Sequence, residues 1–292
     1  MDGWLCLDKP KGMSSNSAMV KVRKHFGENT GYVGTLDPFA TGVLPIGVGR
    51  ARKFIQFVEE VTKKYEFTVV FGASTDTYDE TGELTGRTDV IPNANEMQKV
   101  LPDFLGEIVQ IPPKFSAIKL NGRRSCDLAR KNIAVKIPSR IVQIKSLELI
   151  SAHDDAAKFS VVCGKGTYVR SLAVDIAAKL GSLCYVRDLR RLMSGFFSIE
   201  KSIALENLLK ISDTTKLVEF LIPIESPLDD IPALVLDEDT VTRLKHGLTA
   251  RTSESSRLQG KVRIFDSHHK FYGICNLEES GQLSVIKMYI DE

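Results

Sequence analysis

The chain has 292 residues, 43% of them hydrophobic, with 39 Lys+Arg against 37 Asp+Glu, which predicts one large domain with a sizeable core plus a smaller one. No apolar run approaches the ~18 residues needed to span a bilayer, and Met1 to Lys11 lacks the basic-then-apolar order of a signal peptide. The five cysteines (Cys6, Cys126, Cys163, Cys184 and Cys275) are widely spaced with no C-x-x-C pair, which fits a reduced cytoplasm better than a disulfide framework; no histidine joins them at zinc spacing, so no metal site is expected.

Trp4 to Leu7 predicts a short strand and Lys9-Pro10-Lys11-Gly12 a turn. Ser15 or Asn16 is expected to cap a helix with Val22 and Phe26 on its apolar side, ended by Gly27. Gly31 to Gly42 is punctuated by Gly31, Gly34, Pro38 and Gly42 and predicts a loop. Val43 to Val48 predicts a buried strand, and Arg50 to Thr62 a helix with Phe54, Phe57, Val58 and Val61 inside. Tyr65, Phe67, Val69 and Phe71 alternate, as in a half-buried strand. Ala94 to Leu105 predicts a helix disturbed by Pro102 in its last turn.

Ile111 to Lys145 holds nine basic residues, among them Arg123, Arg124, Arg130, Lys131 and Arg140, against the single acid Asp127. A solvated basic loop has this composition, and so does a phosphate-contacting one. Ile141 to Ile150 and Lys158 to Cys163 predict strands joined by the polar turn His153-Asp154-Asp155. Val169 to Leu180 predicts a helix ending at Gly181, and Cys184 to Met193 a further strand. Hairpins are mixed with helices, so the expected class is α/β (α+β), with a mixed, largely antiparallel sheet flanked by helices. Ser226 to Pro232, with two prolines and two aspartates, is the best linker. It divides residues 1–228 from a β-rich module over 229–292, with strands at Val262–Phe265, Phe271–Asn276 and Leu283–Tyr289. From Asp229 onward the balance is 8 basic to 11 acidic residues, against 31 to 26 before it.

The signatures of NTP, NAD, serine-hydrolase and zinc chemistry are absent: there is no G-x-x-x-x-G-K-[ST], G-x-S-x-G or H-E-x-x-H. What stands out is Gly31-Tyr32-Val33-Gly34-Thr35-Leu36-Asp37-Pro38-Phe39-Ala40-Thr41-Gly42, which sets one carboxylate in a glycine-rich loop. An Asp-Pro pair alone is usually a turn or cap. This string, however, resembles the catalytic loop of the TruB family of pseudouridine synthases, G-H-x-G-x-L-D-P-x-A-x-G, at Gly31, Gly34, Leu36, Asp37, Pro38, Ala40 and Gly42. Other blocks are similar to that family in order: Leu7-Asp8-Lys9-Pro10-Lys11-Gly12, Lys63-Lys64-Tyr65, Gly72-Ala73-Ser74-Thr75-Asp76-Thr77, Ile111-Pro112-Pro113-Lys114, Gly164-Lys165-Gly166-Thr167-Tyr168-Val169-Arg170 and Leu189-Arg190-Arg191-Leu192. The similarity covers most of residues 2–228 and is weaker after them.

The resemblance implies the pseudouridine synthase fold, an RNA-gripping insertion over about 107–141 and a PUA-like C-terminal RNA-binding module. It implies an isomerase acting on uridine 55 in the TΨC arm of tRNA, with base flipping, no cofactor, no membrane and no obligatory protein partner, and a monomer is expected. The short N-terminus and the long insertion look like the stand-alone bacterial branch rather than the guide-RNA-dependent one. The implied residues are Asp37 as nucleophile, Arg170 as its cationic partner, and Tyr65, Tyr168, Leu189, Lys9 and Tyr32 around the base. Arg123, Arg124, Arg130 and Lys131 would meet RNA backbone. Tyr32 stands where the family usually has histidine, which bears on flipping but not on the nucleophile. The nucleophile must be ionised, so a cation is expected to hold its pKa down. A glycosidase would need a second carboxylate, and Asp76 and Asp79 read as turn residues. A non-catalytic tRNA binder would not need Asp37, Tyr65 and Arg170 together. His25, His153, His246, His268 and His269 are expected on the surface.

Overall fold

The computed structural model describes residues 1–292 apart from 59–60, 117, 121, 132, 134–135, 253–257 and 290–292. Trp4, Leu5, Cys6 and Leu7 are buried in succession, so their strand β1 (Gly3–Lys9) is covered on both faces. Helix α1 (Ser15–Phe26) ends at Gly27, whose left-handed backbone accommodates the reversal, but its cap is Ser14, not Ser15 or Asn16. Ser15 is diverted to another task, described below. Strand β2 (Thr41–Val48) follows the glycine-rich loop.

The expected helix over 50–62 is a shorter 3₁₀ segment, Gly49–Phe57. In 3₁₀ winding, residues three apart share one line, which sets Ala51 and Phe54 together in the core. Their backbone lies directly on Gly47, where a β-carbon would press on Ala51 and Arg52.

The remaining elements of this half are β3 (Lys63–Phe71), α2 (Ala94–Val100), β4 (Gly106–Gln110), β5 (Arg140–His153), β6 (Ala156–Cys163), α3 (Val169–Lys179) and β7 (Cys184–Ser194). Pro102 falls where α2 gives way to a 3₁₀ turn at Leu101–Phe104. Among the described residues an 11-stranded sheet runs from Ile203–Ala204 through β1, β2, β7, β3, β6 and β5 to β4. Along that path the pairs β2–β7 and β1 with Ile203–Ala204 are parallel; the others are antiparallel. The mixed, largely antiparallel expectation holds.

One face of the sheet packs α3 and α2 over Phe67, Phe159 and Val161. Elsewhere α1 covers Leu5, Leu7, Leu44 and Ile46. The C-terminal strands form a separate five-stranded sheet with its own core around Leu234, Val262 and Leu283. The segment Ser226–Pro232 is not a loose tether. Pro227, Leu228 and Ile231 are buried, and Phe271 and Ile274 of the C-terminal sheet share a core with Trp4 and Phe54. The Trp4 indole donates to the Ile224 carbonyl at 3.0 Å, and Phe54 meets Phe271 at 5.5 Å between ring centres. At about 1.5–3 kcal/mol per buried large apolar side chain, this seam locks the module to the larger sheet. Cutting the chain near Pro232 would expose it.

Candidate active site

The glycine-rich loop is fixed from several sides. Ser15, freed from capping, both accepts from the Leu36 N–H at 2.8 Å and donates to the Leu36 carbonyl at 2.9 Å. The Gly12 N–H donates to the Pro38 carbonyl at 2.8 Å. Gly42, at φ +102°, lies so close to β7 that a β-carbon would collide with the Arg191 backbone. Asp37, between these anchors, is held with little backbone freedom.

Arg170, one residue into α3, points back at Asp37: its Nε lies 2.9 Å from the Asp37 Oδ2. That N–H is buried against the carboxylate. The rest of the guanidinium is fully engaged. Nη1 reaches the Thr77 carbonyl at 2.7 Å and the Asp79 Oδ2 at 3.2 Å, and Nη2 the Phe115 carbonyl at 2.9 Å. A single side chain, 3% exposed, thus ties together the Asp37 loop, the turn at 77–79 and the root of the basic insertion.

Asp79 extends the turn-residue reading. It does sit in a turn, but it is buried, and its Oδ1 accepts from Thr77 Oγ1, Thr81 Oγ1 and Thr81 N–H at 2.8, 2.6 and 3.0 Å. Its Oδ2 is thereby aimed at Arg170. The alternation Thr77-x-Asp79-x-Thr81 was the available signal, since two hydroxyls flanking an acid satisfy a carboxylate locally.

The cleft above Asp37 has a volume of about 230 Å³ and is lined by, among others, Tyr65, Tyr168, Leu189, Arg191 and Arg140. Tyr65, Tyr168 and Leu189 therefore converge with Asp37 and Arg170, although they come from β3, the residue before α3, and β7. Arg191 was not singled out in the sequence. It stands directly across the sheet from Tyr65 on one side and Gly42 on the other. Its guanidinium donates to the Val43 and Gly34 carbonyls at 2.6 and 2.8 Å. It is 1% exposed and, among the described residues, makes no ion pair with a carboxylate. Burial pushes the Tyr65 phenol above its usual pKa, and Arg191 opposes that rise.

Two expected substrate contacts are placed elsewhere. Lys9 is fully buried beneath the loops, where Nζ donates to the Met13, Pro10 and Pro38 carbonyls at 2.7, 2.9 and 3.4 Å. It braces the Asp37 loop instead of lining the cleft, and burial pulls its pKa down to about 8. Tyr32 lies opposite Ile46 on β2, and strand alternation turns its ring onto the α1 core, away from the cleft wall.

In the basic insertion, Arg123, Arg130 and Lys131 are exposed, with Arg130 facing Asp127 at 3.7 Å. The Arg124 backbone belongs to a two-residue strand; its side chain lies outside the described part. Among the described residues no cluster of His, Cys, Asp and Glu is placed to hold a metal ion.

The Asp37 carboxyl titrates above its ordinary 3.8 because burial, with Asp79 adding to it, outweighs the pull of Arg170 and Lys9. The cation expected beside Asp37 is present, and the direction of the shift is set by burial acting against it. An acid limb follows. If ionised Asp37 is required, kcat/KM should fall about tenfold per pH unit below an inflection above 3.8. A pH–rate profile flat down to that value would contradict it.

Comparison with known proteins identifies relatives along most of the chain. Residues 22–169 match the TruB family pseudouridylate synthase N-terminal domain. Residues 170–229 match the tRNA pseudouridylate synthase B C-terminal domain, and 232–288 match "Pseudouridine synthase II TruB, C-terminal". The tRNA pseudouridine synthase B of Caulobacter vibrioides is 45% identical over 85% of this chain and 80% of that protein. The Stutzerimonas stutzeri protein of the same name is 37% identical over 97% and 94%. In fold alone, a chain from the crystal structure of a Cbf5-Nop10-Gar1 complex superposes with a TM-score of 0.75, at 22% identity, over 99% of this chain and 85% of that one. A lone aspartate in a braced loop, a buried arginine against it and two tyrosines over it thus sit on a chain matched along most of its length, and the protein belongs to the TruB family of pseudouridylate synthases.

Proposed function

We propose that this protein isomerises uridine 55 in the TΨC loop of tRNA to pseudouridine as a stand-alone monomeric enzyme of the cytoplasm. The observation that carries the reading is Asp37 set against Arg170 at the foot of the cleft that holds Tyr65, Tyr168 and Leu189. The relatives that support the substrate are tRNA pseudouridine synthase B proteins from several bacteria.

The chemistry breaks the N1–C1′ bond of uridine, joins C1′ to C5 and moves a proton from C5 to N1. Nothing is oxidised and no group is imported, so no cofactor is called for. The base must leave its stack to be reached. In this proposal Tyr168 and Leu189 flank the extruded uracil and Asp37 is the covalent nucleophile, at C1′ or at C6. To take the C5 proton Tyr65 must act as the phenolate, which the Arg191 charge beside it favours against burial, and the proton then passes to N1. The basic insertion over about 107–141 grips the RNA backbone, and the module over 229–292 adds RNA contacts. Five free cysteines among the described residues, four of them buried, support a reducing compartment.

The experiment is tritium release from tRNA carrying 5-³H-uridine, with the modified position mapped. Release with pseudouridine only at position 55 supports the reading; a different position, or no release from any tRNA, overturns it. Tyr65→Phe keeps the ring and removes the hydroxyl. It should lower kcat by at least about 100-fold and leave the Kd for tRNA nearly unchanged; a near-normal rate would reduce Tyr65 to packing. Changing Arg123, Arg124, Arg130 and Lys131 to glutamine should weaken tRNA binding. Each lost phosphate contact should flatten the slope of log affinity against log salt by about 0.7–0.9. An unchanged slope would make this segment an ordinary solvated loop.

A further inference from the structure

Arg140 is one of nine basic residues in its stretch of sequence, but it is half-buried where Arg123, Arg130 and Lys131 are exposed. It opens β5 and lies opposite Gln110 on β4. Gln110, fully buried, clamps the Tyr168 backbone in both directions: its amide nitrogen donates to the Tyr168 carbonyl at 3.1 Å, and its amide oxygen accepts from the Tyr168 N–H at 2.7 Å. The Tyr168 ring is thereby held at a fixed place, and the Arg140 guanidinium stacks on it with Cζ 4.7 Å from the ring centre. Gly166, at φ +86°, lies beside the guanidinium, where an added β-carbon would rest 3.5 Å from Arg140 Nη1.

Among the described residues, the Nε and Nη2 of Arg140 are buried in this seat and donate to no protein group, and no carboxylate pairs with the charge. Buried donors on a charged group are costly when left unmet, so such groups call for a ligand. The guanidinium fork fits the paired oxygens of a phosphate. It faces the cleft that contains Asp37 and Tyr65, whose own anion, Asp37, is already paired with Arg170. A neutral uracil brings no anion into the cleft; the backbone of an extruded nucleotide does.

We propose that Arg140, stacked on Tyr168, is the ligand for the phosphodiester adjoining the extruded uridine. This rests on the reading of the site as a uridine isomerase. Tyr168 then has two linked tasks: one part of its surface meets the base, while its ring holds the cation that fixes the backbone of the same nucleotide.

The test is a thermodynamic cycle with stem-loop RNAs that carry a neutral methylphosphonate at the phosphate on either the 5′ or the 3′ side of the target uridine. Binding is measured in an Asp37→Asn background so that the RNA is not turned over. Arg140→Gln should weaken binding of the unmodified RNA on the order of tenfold and flatten the salt slope by about 0.7–0.9. One of the two methylphosphonates should cause the same loss with Arg140 present and no further loss with Arg140→Gln. Arg140→Lys should keep the salt slope but lose part of the affinity, because an ammonium lacks the fork. A merely structural role for Arg140 predicts additive losses at both positions. Additive losses, or wild-type binding by Arg140→Gln, would overturn the proposal. If the wild-type enzyme releases tritium from the unmodified stem-loop while the cycle is additive, only the Arg140 assignment falls; if it releases none from any tRNA, the reading of the site falls first.

Discussion

Asp37→Asn should abolish turnover while tRNA binding stays within a factor of about two, or about 0.4 kcal/mol. The amide has nearly the same shape and fits between the same anchors: Ser15 still holds Leu36, and Gly12 still holds Pro38. What is lost is the nucleophile, since an amide oxygen does not form the covalent intermediate. Removal of a nucleophile costs on the order of 10⁴–10⁶ in rate. Single-turnover tritium release measures this directly. Asparagine also removes one of the two negative charges facing Arg170, so the thermal midpoint should change little. Multiple turnover by the purified variant would sink the assignment of Asp37.

Arg170→Met should be damaging in two separable ways. It removes the donor shared by the Thr77 and Phe115 carbonyls, and it leaves Asp37 and Asp79 facing each other without a cation. Breaking one side of a buried ion pair costs about 3–5 kcal/mol, which lowers the thermal midpoint by roughly 10 °C in a protein of this size. The remaining folded enzyme should show an acid limb displaced to higher pH, because the cation that opposes burial at Asp37 is gone. Arg170→Lys should not restore the rate, since one ammonium does not reach four acceptors in a plane. Asp79→Asn should move the limb the other way, because Asp79 adds to the rise at Asp37. If Arg170→Met left both the midpoint and the pH profile unchanged, the arginine would be no more than a surface contact.

The seam between the two sheets also bears on how the C-terminal module is to be tested. Because Phe271 and Ile274 pack with Trp4 and Phe54, loss of activity on truncation would report exposed core as much as lost RNA contact. Substitution of exposed residues isolates the second effect.

Several features were legible in the sequence because they depend on neighbours along the chain. The alternation of Tyr65, Phe67, Val69 and Phe71 settled the strand, and Gly27 and Pro102 marked a helix end and a helix disturbance through backbone sterics alone. Asp37 and Arg170 stood out only through the resemblance of their strings, 31–42 and 164–170, to blocks of the TruB family; local pattern alone left a turn aspartate and a helix-surface arginine. The sequence did not indicate that Ser15 leaves the helix cap to Ser14 and instead grips Leu36. Nor did it show that Lys9 turns under the loop or that Tyr32 packs on α1. Asp79, Arg191 and Arg140 gain their places only from contacts across the sheet and between loops: Arg170 meets Asp79 from 91 positions along the chain, Arg191 faces Tyr65 by strand register, and Arg140 reaches Tyr168 through the Gln110 clamp. Local stereochemistry fixes turns, caps and alternation, but which charges are buried together depends on strand order and register, and these are set by how the whole sheet closes over its core.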